Sequence, residues 1–112
     1  MRRRCGGDGS YVVTSAPLTY GAHSYGYTDL VYSPRCGANW ATAGTWFNNV
    51  GGLRLSAWVT RPGGPYRPAS EAGGSNGSWT YTLMVYAPNN CAYAKGSLDL
   101  SYADASGQTP CR

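Results

Sequence analysis

Cysteine and histidine come first, because these residue types supply many catalytic nucleophiles, bases and metal ligands. The 112-residue chain has one histidine, His23, and four cysteines, Cys5, Cys36, Cys91 and Cys111. No two cysteines have the Cys-x-x-Cys spacing of a zinc site, whereas an even number in a short glycine-rich chain is typical of disulfides. We therefore expect two disulfides, no metal and no other cofactor. Because disulfides persist in oxidising compartments, we expect a secreted or extracytoplasmic protein.

Catalysis would need a base beside a nucleophile, or two carboxylates facing each other. His23 lies in a glycine-containing stretch that we expect to be a loop. It could catalyse hydrolysis as the base of a triad with Asp29 and a serine. The chain has only five carboxylates and no Gly-x-Ser-x-Gly motif. We expect no enzyme activity, and a small hydrolase that uses His23 is the weakest alternative.

The aromatic residues favour binding. The chain has ten tyrosines and four tryptophans but only one phenylalanine. Most of its rings therefore carry an O–H or N–H group, which suits half-buried contact surfaces. Tryptophan, tyrosine and arginine dominate protein interfaces, and such rings also stack on sugars. The candidate binding residues are Trp46, Phe47, Arg54, Trp58, Tyr66 and Arg67. The expected partner is another protein or a cell-envelope polymer, unless a second sheet covers the rings.

The net charge of +4 comes mostly from Arg2, Arg3 and Arg4, which we expect to form a flexible basic tail over residues 1–4. Without them, six basic residues face five acidic ones, and a body so close to neutrality indicates no nucleic-acid binding. The residues after the arginines are not the apolar core of a signal peptide, so we expect the mature or trimmed form of an exported protein. No apolar run is long enough to span a bilayer, so we expect no membrane insertion.

Period-two patterns predict an all-β protein and no amphipathic helix. The expected strands are Tyr11–Thr14, Tyr25–Ser33, Leu53–Thr60, Ser78–Tyr86 and Ser97–Tyr102. The clearest pattern, in the third, alternates inward Leu53, Leu55, Ala57 and Val59 with outward Arg54, Ser56, Trp58 and Thr60. We expect a single domain over residues 1–112, a small antiparallel β-sandwich or barrel of five or six strands.

Two further features follow from the same patterns. In the fourth predicted strand, Trp79, Tyr81, Leu83 and Val85 share one face. The Pro- and Gly-rich residues 61–78 are predicted to form one long loop, and Asp104–Gly107 a turn.

The stretch Leu30–Ala41 reads LVYSPRCGANWA and carries a resemblance. It resembles the signature Leu-Arg-Tyr-Ser-x-x-Cys-x-x-x-Trp-Ala of small exported bacterial domains of unknown function, with Val31 in place of the arginine. These domains occur alone or as extracytoplasmic tails of membrane-anchored regulators. The similarity continues through Tyr81–Val85 and Cys91-Ala92, and spans roughly residues 25 to 111. It implies export and a β fold but no activity.

With sequence proximity, the resemblance favours the pairing Cys5–Cys36 with Cys91–Cys111. The alternative is Cys5–Cys111 with Cys36–Cys91. In either pairing, we expect Cys36 to lie just beyond the strand that ends at Pro34, with Trp40 packed over its disulfide.

The leading hypothesis is a secreted, disulfide-stapled, non-catalytic interaction module that binds another protein or a cell-envelope component. The second is an inhibitor or toxin-complex component that acts on a secreted protein and presents residues 61–78 to it.

Overall fold

The computed structural model describes residues 9–46, 53–65, 67–87 and 90–112. These ranges contain no helix and nine strands: β1 Tyr11–Tyr20, β2 His23–Ser33, β3 Ala38–Thr45, β4 Leu55–Thr60, β5 Ser70–Ser75, β6 Trp79–Tyr81, β7 Val85–Tyr86, β8 Tyr93–Asp99 and β9 Asp104–Gln108. The all-β prediction is confirmed, but the predicted number of five or six strands is too low. The predicted basic tail, residues 1–4, lies outside the described residues.

The strands form one antiparallel sheet that nearly closes into a barrel. Its order is β5-β4-β8-β9-β1-β2-β3-β6, and β7 pairs with the first residues of β3. Two of the contacts between neighbouring strands have little or no ladder pairing. Strands β1 and β9 share one register pair, Thr19 with Ser106, and the edge strands β5 and β6 contact each other without a described ladder. The barrel is therefore made of two four-stranded halves, β5-β4-β8-β9 and β1-β2-β3-β6.

The interior between the two halves is narrow and filled by small or medium side chains. Six of the twelve residues in the buried cluster are alanines, and the others are leucine and valine: Leu18, Leu30, Ala41, Ala43, Leu55, Ala57, Val59, Val85, Ala92, Ala94, Leu98 and Ala105. The predicted inward face of β4 is confirmed, since Leu55, Ala57 and Val59 are fully buried. A Cβ on Gly96 of β8 would lie 2.8 Å from Leu18 Cδ2 and 3.0 Å from Thr28 Cβ. In small barrels the interior is filled by side chains in this way.

The sequence patterns missed β3, although it is the most buried strand. It lies between β2 on one side and β6 and β7 on the other, and it packs against β4 and β8 across the interior. Its sequence, ANWATAGT, is rich in alanine and glycine, which are depleted in strands. Close packing on both faces stabilises the strand in spite of that low propensity.

Three other segments also differ from prediction. Strand β5 lies within the predicted loop 61–78, and β9 includes the predicted turn Asp104–Gly107. Strand β1 does not stop before Pro17 but continues to Tyr20. Proline is tolerated there because β1 pairs with β9 through a single register pair, so few ladder hydrogen bonds are expected on that side.

One disulfide, Cys91–Cys111, joins the chain before β8 to the chain after β9, where two disulfides were predicted. It confirms half of the favoured pairing and shows the alternative, Cys5–Cys111 with Cys36–Cys91, to be wrong. No described cysteine is a free thiol. Cys5 lies outside the described residues, so the second bridge, Cys5–Cys36, stays a prediction, as does the packing of Trp40 on it. No helix that could cross a bilayer occurs in the described ranges.

Buried Arg61 holds the segment after β4 against β7. Its Nε donates a hydrogen bond to the carbonyl of Gly63 at 2.5 Å, and its Nη1 donates to the carbonyl of Tyr86 at 2.6 Å. Its backbone N–H donates to the carbonyl of Ala69 at 2.7 Å. The guanidinium is almost fully buried, and its two side-chain hydrogen bonds are part-buried, so their loss removes charged donors that the solvent only partly replaces.

We predict that Arg61→Met destabilises the protein by about 2–4 kcal/mol, because two part-buried hydrogen bonds from a charged group are lost. Urea unfolding followed by circular dichroism measures the change. The control is Arg67→Gln, since Arg67 is exposed and we expect less than about 0.5 kcal/mol there. Equal stability of the two variants would contradict the role given to Arg61.

The contact between β5 and β6 provides a second prediction. A Cβ on Gly73 would overlap the carbonyl of Tyr81, whereas a Cβ on Gly74 would meet only the flexible end of Arg54, 2.6 Å from Nη2. We expect Gly73→Ala to destabilise by about 1–3 kcal/mol, since backbone must move, and Gly74→Ala to change stability by less than about 1 kcal/mol. Thermal unfolding of the two variants tests this, and a neutral Gly73→Ala would show that the two edges do not touch.

Candidate binding surface

The four sequence-predicted binding residues that the structure describes do not assemble into one site. Trp46 follows β3 and is 63% exposed. Its ring packs on Tyr27 at a centroid distance of 5.2 Å, and its Nε1 lies 3.4 Å from Ser24 Oγ, to which it donates. Phe47 and Tyr66 lie outside the described residues.

Trp58 points outward from β4, as predicted, but on the other half of the barrel from Trp46. It is half-buried between the neighbouring strands, and Lys95 Nζ lies 5.4 Å from its ring centroid, within range of a cation–π contact. Arg54 is exposed beside Gly74, and Arg67 is exposed with its Nη1 3.5 Å from the carbonyl of Gly64. Strands β6 and β5 separate Trp58 from Trp46 around the barrel.

A cluster of large exposed side chains lies in the segment where Trp79, Tyr81, Leu83 and Val85 were predicted to share one face. Trp79, Tyr81 and Leu83 are 49%, 40% and 57% exposed. The rings of Trp79 and Tyr81 are 5.0 Å apart. The prediction that Val85 shares a face with these three side chains is wrong, because Val85 is buried.

Two threonines of the same segment point into the interior of the barrel. Thr80 and Thr82 are buried. Thr82 exchanges hydrogen bonds with Ala41: its N–H donates to the Ala41 carbonyl at 2.9 Å, and its Oγ1 accepts from the Ala41 N–H at 3.1 Å. Its hydroxyl donates to the carbonyl of Leu83 at 2.6 Å. The chain leaves the strand at residues 82–84 and resumes in β7 with Val85 inward, so the alternation shifts by one residue.

Tyr27 joins Trp46 to this cluster across β3. Gly44 of β3 pairs with Tyr27 on one side and with Trp79 on the other. A Cβ on Gly44 would lie 2.5 Å from ring atoms of Tyr27, so that ring lies across the glycine towards β6. Together these residues form the aromatic surface, defined as Tyr27, Trp46, Trp79, Tyr81 and Leu83.

A groove adjoins the aromatic surface along the contact between β5 and β6. Its volume is about 390 Å³, and its walls include Gly73 and Ser75 on one side and Trp79, Tyr81 and Leu83 on the other. Ser75 Oγ donates to the carbonyl of Trp79 at 2.9 Å, which closes the floor at one point. None of the described residues that line the groove is charged.

The described residues do not assemble the predicted catalytic pair. His23 is exposed at the start of β2, not in a loop, and its ring lies 6.4 Å from that of Tyr25. Asp29 is six residues further along the same strand, or about 20 Å away at 3.3 Å per residue. Its carboxylate accepts a hydrogen bond from Ser15 at 2.5 Å. No group of three His, Cys, Asp or Glu side chains in the described ranges could hold a metal ion.

A second tyrosine cluster lies near His23. Tyr102 is exposed, with its ring 5.8 Å from that of Tyr20. A hydrogen bond with Tyr25 raises the pKa of Tyr102 above its ordinary value.

Comparison with protein-family models, curated proteins and solved structures found no match. The resemblance to small exported bacterial domains therefore stays an expectation.

The threonine pair provides a matched prediction. Thr82→Val removes a hydroxyl that accepts from the buried Ala41 N–H, so we expect a loss of about 1–3 kcal/mol. Thr80 is equally buried but makes no side-chain hydrogen bond in the described part of the chain, so Thr80→Val is expected to be neutral or slightly stabilising. Chemical denaturation compares them, and equal losses would contradict the hydrogen bonding described for Thr82.

Proposed function

We propose that this chain is an extracytoplasmic, non-catalytic binding module that holds a neutral polysaccharide of the cell envelope on its aromatic surface. The observation that carries the proposal is the exposure of three neighbouring large side chains, Trp79, Tyr81 and Leu83, beside a groove. An exposed apolar patch of this kind marks an interaction site more often than a chance feature.

The chemistry of the surface favours a neutral polymer. The members of the aromatic surface are uncharged, as are the described residues of the groove. Flat rings with an indole N–H or a phenol O–H can cover the apolar faces of sugar rings and still form hydrogen bonds at their edges. A charged protein partner would instead require complementary charges around the contact.

The location is supported by the sulfur chemistry. The Cys91–Cys111 disulfide is stable in oxidising compartments, where envelope polymers are found. The predicted Cys5–Cys36 bridge would add a second covalent link of the same kind.

The alternatives have less support. An inhibitor that presents residues 61–78 would need a free loop, but residues 70–75 are paired with β4 and Arg61 anchors the loop start in the protein. A hydrolase based on His23 and Asp29 would need the two side chains within hydrogen-bond reach.

We predict that the wild-type protein co-sediments with at least one neutral insoluble polysaccharide among cellulose, chitin and β-1,3-glucan. The double variant Trp79→Ala/Tyr81→Ala should bind at least tenfold more weakly, because a central aromatic side chain contributes on the order of 2 kcal/mol. Tyr102→Ala and Trp58→Ala are the controls, since both rings lie outside the aromatic surface, and they should bind like the wild type.

Two results would overturn the proposal. If the double variant still binds the polysaccharide and Trp58→Ala does not, the binding site lies on the opposite half of the barrel. Absence of binding to every neutral polysaccharide, together with capture of a specific protein that depends on Trp79, would replace the polysaccharide with a protein partner.

A further inference from the structure

A second cavity opens at one end of the barrel and shares no described lining residue with the groove. Its volume is about 290 Å³, and its walls include Tyr11 at the start of β1, Tyr32 near the end of β2, and Asn39 near the start of β3. Cys91 of the disulfide and Arg112 also line it. We name this cavity the end pocket.

Asn39 places an unsatisfied acceptor in the end pocket. The side chain is only 2% exposed and lies on the interior side of β3, in register with Ala41 and Ala43. Its Nδ2 donates to the carbonyl of Val31 at 3.2 Å. Its Oδ1 has no hydrogen-bond partner among the described residues. Buried acceptors are nearly always paired, so this oxygen is suited to a donor that no described residue supplies.

The walls of the pocket suit a flat ring. Tyr11 and Tyr32 meet edge to face, with centroids 6.0 Å apart and an angle of 70° between their planes. Two rings at this angle offer one face and one edge to a third ring, which is a favoured arrangement for aromatic groups. The volume lies near the lower limit of small-molecule sites, so the occupant is a single ring with short substituents.

Arg112 is the one charged residue in the described lining of the pocket. Its backbone is fixed, because its N–H donates to the carbonyl of Ala92 at 2.8 Å and its carbonyl accepts from the Ala92 N–H at 3.1 Å. The side chain is exposed and forms no ion pair within the described ranges. None of the described residues that line the pocket is acidic. A guanidinium in this position suits a carboxylate, which it binds with two parallel hydrogen bonds.

We infer that the end pocket binds a small aromatic carboxylate that carries a hydroxyl or amino group at the opposite end of its ring. The donor group reaches Asn39 Oδ1 inside the barrel, the ring lies against Tyr11 and Tyr32, and the carboxylate meets Arg112 at the entrance. This site is independent of the aromatic surface and of the function proposed for it.

Three probes separate the two polar contacts. 4-Hydroxybenzoate has both groups, benzoate lacks the donor, and 4-hydroxybenzyl alcohol lacks the charge. Titration of the isotope-labelled full chain, followed by amide chemical shifts, should show saturable shifts at Tyr32 and Asn39 with 4-hydroxybenzoate. We expect its affinity to exceed that of each of the other two probes at least fivefold.

The matched variants are Arg112→Gln and Arg67→Gln, which both remove one exposed positive charge. Arg112→Gln should reduce the affinity for 4-hydroxybenzoate to that for 4-hydroxybenzyl alcohol and leave the latter unchanged. Arg67→Gln should change neither. Equal affinities for the three probes, shifts confined to Trp79 and Tyr81, or no shift at Asn39 at millimolar concentration would each overturn the assignment.

Discussion

The narrow interior of the barrel is the constraint on which the rest of the structure depends. Alanine, valine, leucine and threonine fill the space between the two halves, and even a methyl group on Gly96 would crowd Leu18 and Thr28. This cluster contains no aromatic ring, and Trp40, the one buried tryptophan among the four, lies outside it. The bulky rings of this tyrosine- and tryptophan-rich chain therefore lie mainly on the outer faces and at the ends of the barrel, where they are available for contact.

The two sites follow from different consequences of that packing. Thr80 in β6 and Thr82 just after it point into the barrel. Trp79 and Tyr81 therefore point outward, beside the contact of the two edge strands. At the end of the barrel lies a cavity with Asn39 in its wall, and Asn39 Oδ1 has no hydrogen-bond partner among the described residues. The described residues of the first surface and its groove are uncharged, whereas the second cavity is smaller and has Arg112 in its wall. Their ligands should differ accordingly.

The sequence predicted the features that depend on local alternation. Strand β4 combines alternating burial with β-branched and aromatic residues, and its inward face was correct. Strand β3 was missed because its stability comes from packing on both faces, which its alanines and glycine do not reveal. The grouping of Val85 with Trp79, Tyr81 and Leu83 was wrong because the chain leaves the strand at residues 82–84, and this shifts the alternation by one residue. Trp46 was found because it lies outside a strand, among loop residues.

Hydroxyl-radical footprinting of the oxidised wild-type protein, read by mass spectrometry, tests the central claim most directly. If the interior excludes large rings, Trp46, Trp79 and Tyr81 should be oxidised rapidly, and Trp40, which is 8% exposed, should be protected at least several-fold. Protection of Trp79 and Tyr81 equal to that of Trp40 would show that these rings are buried, and it would contradict both the narrow interior and the aromatic surface.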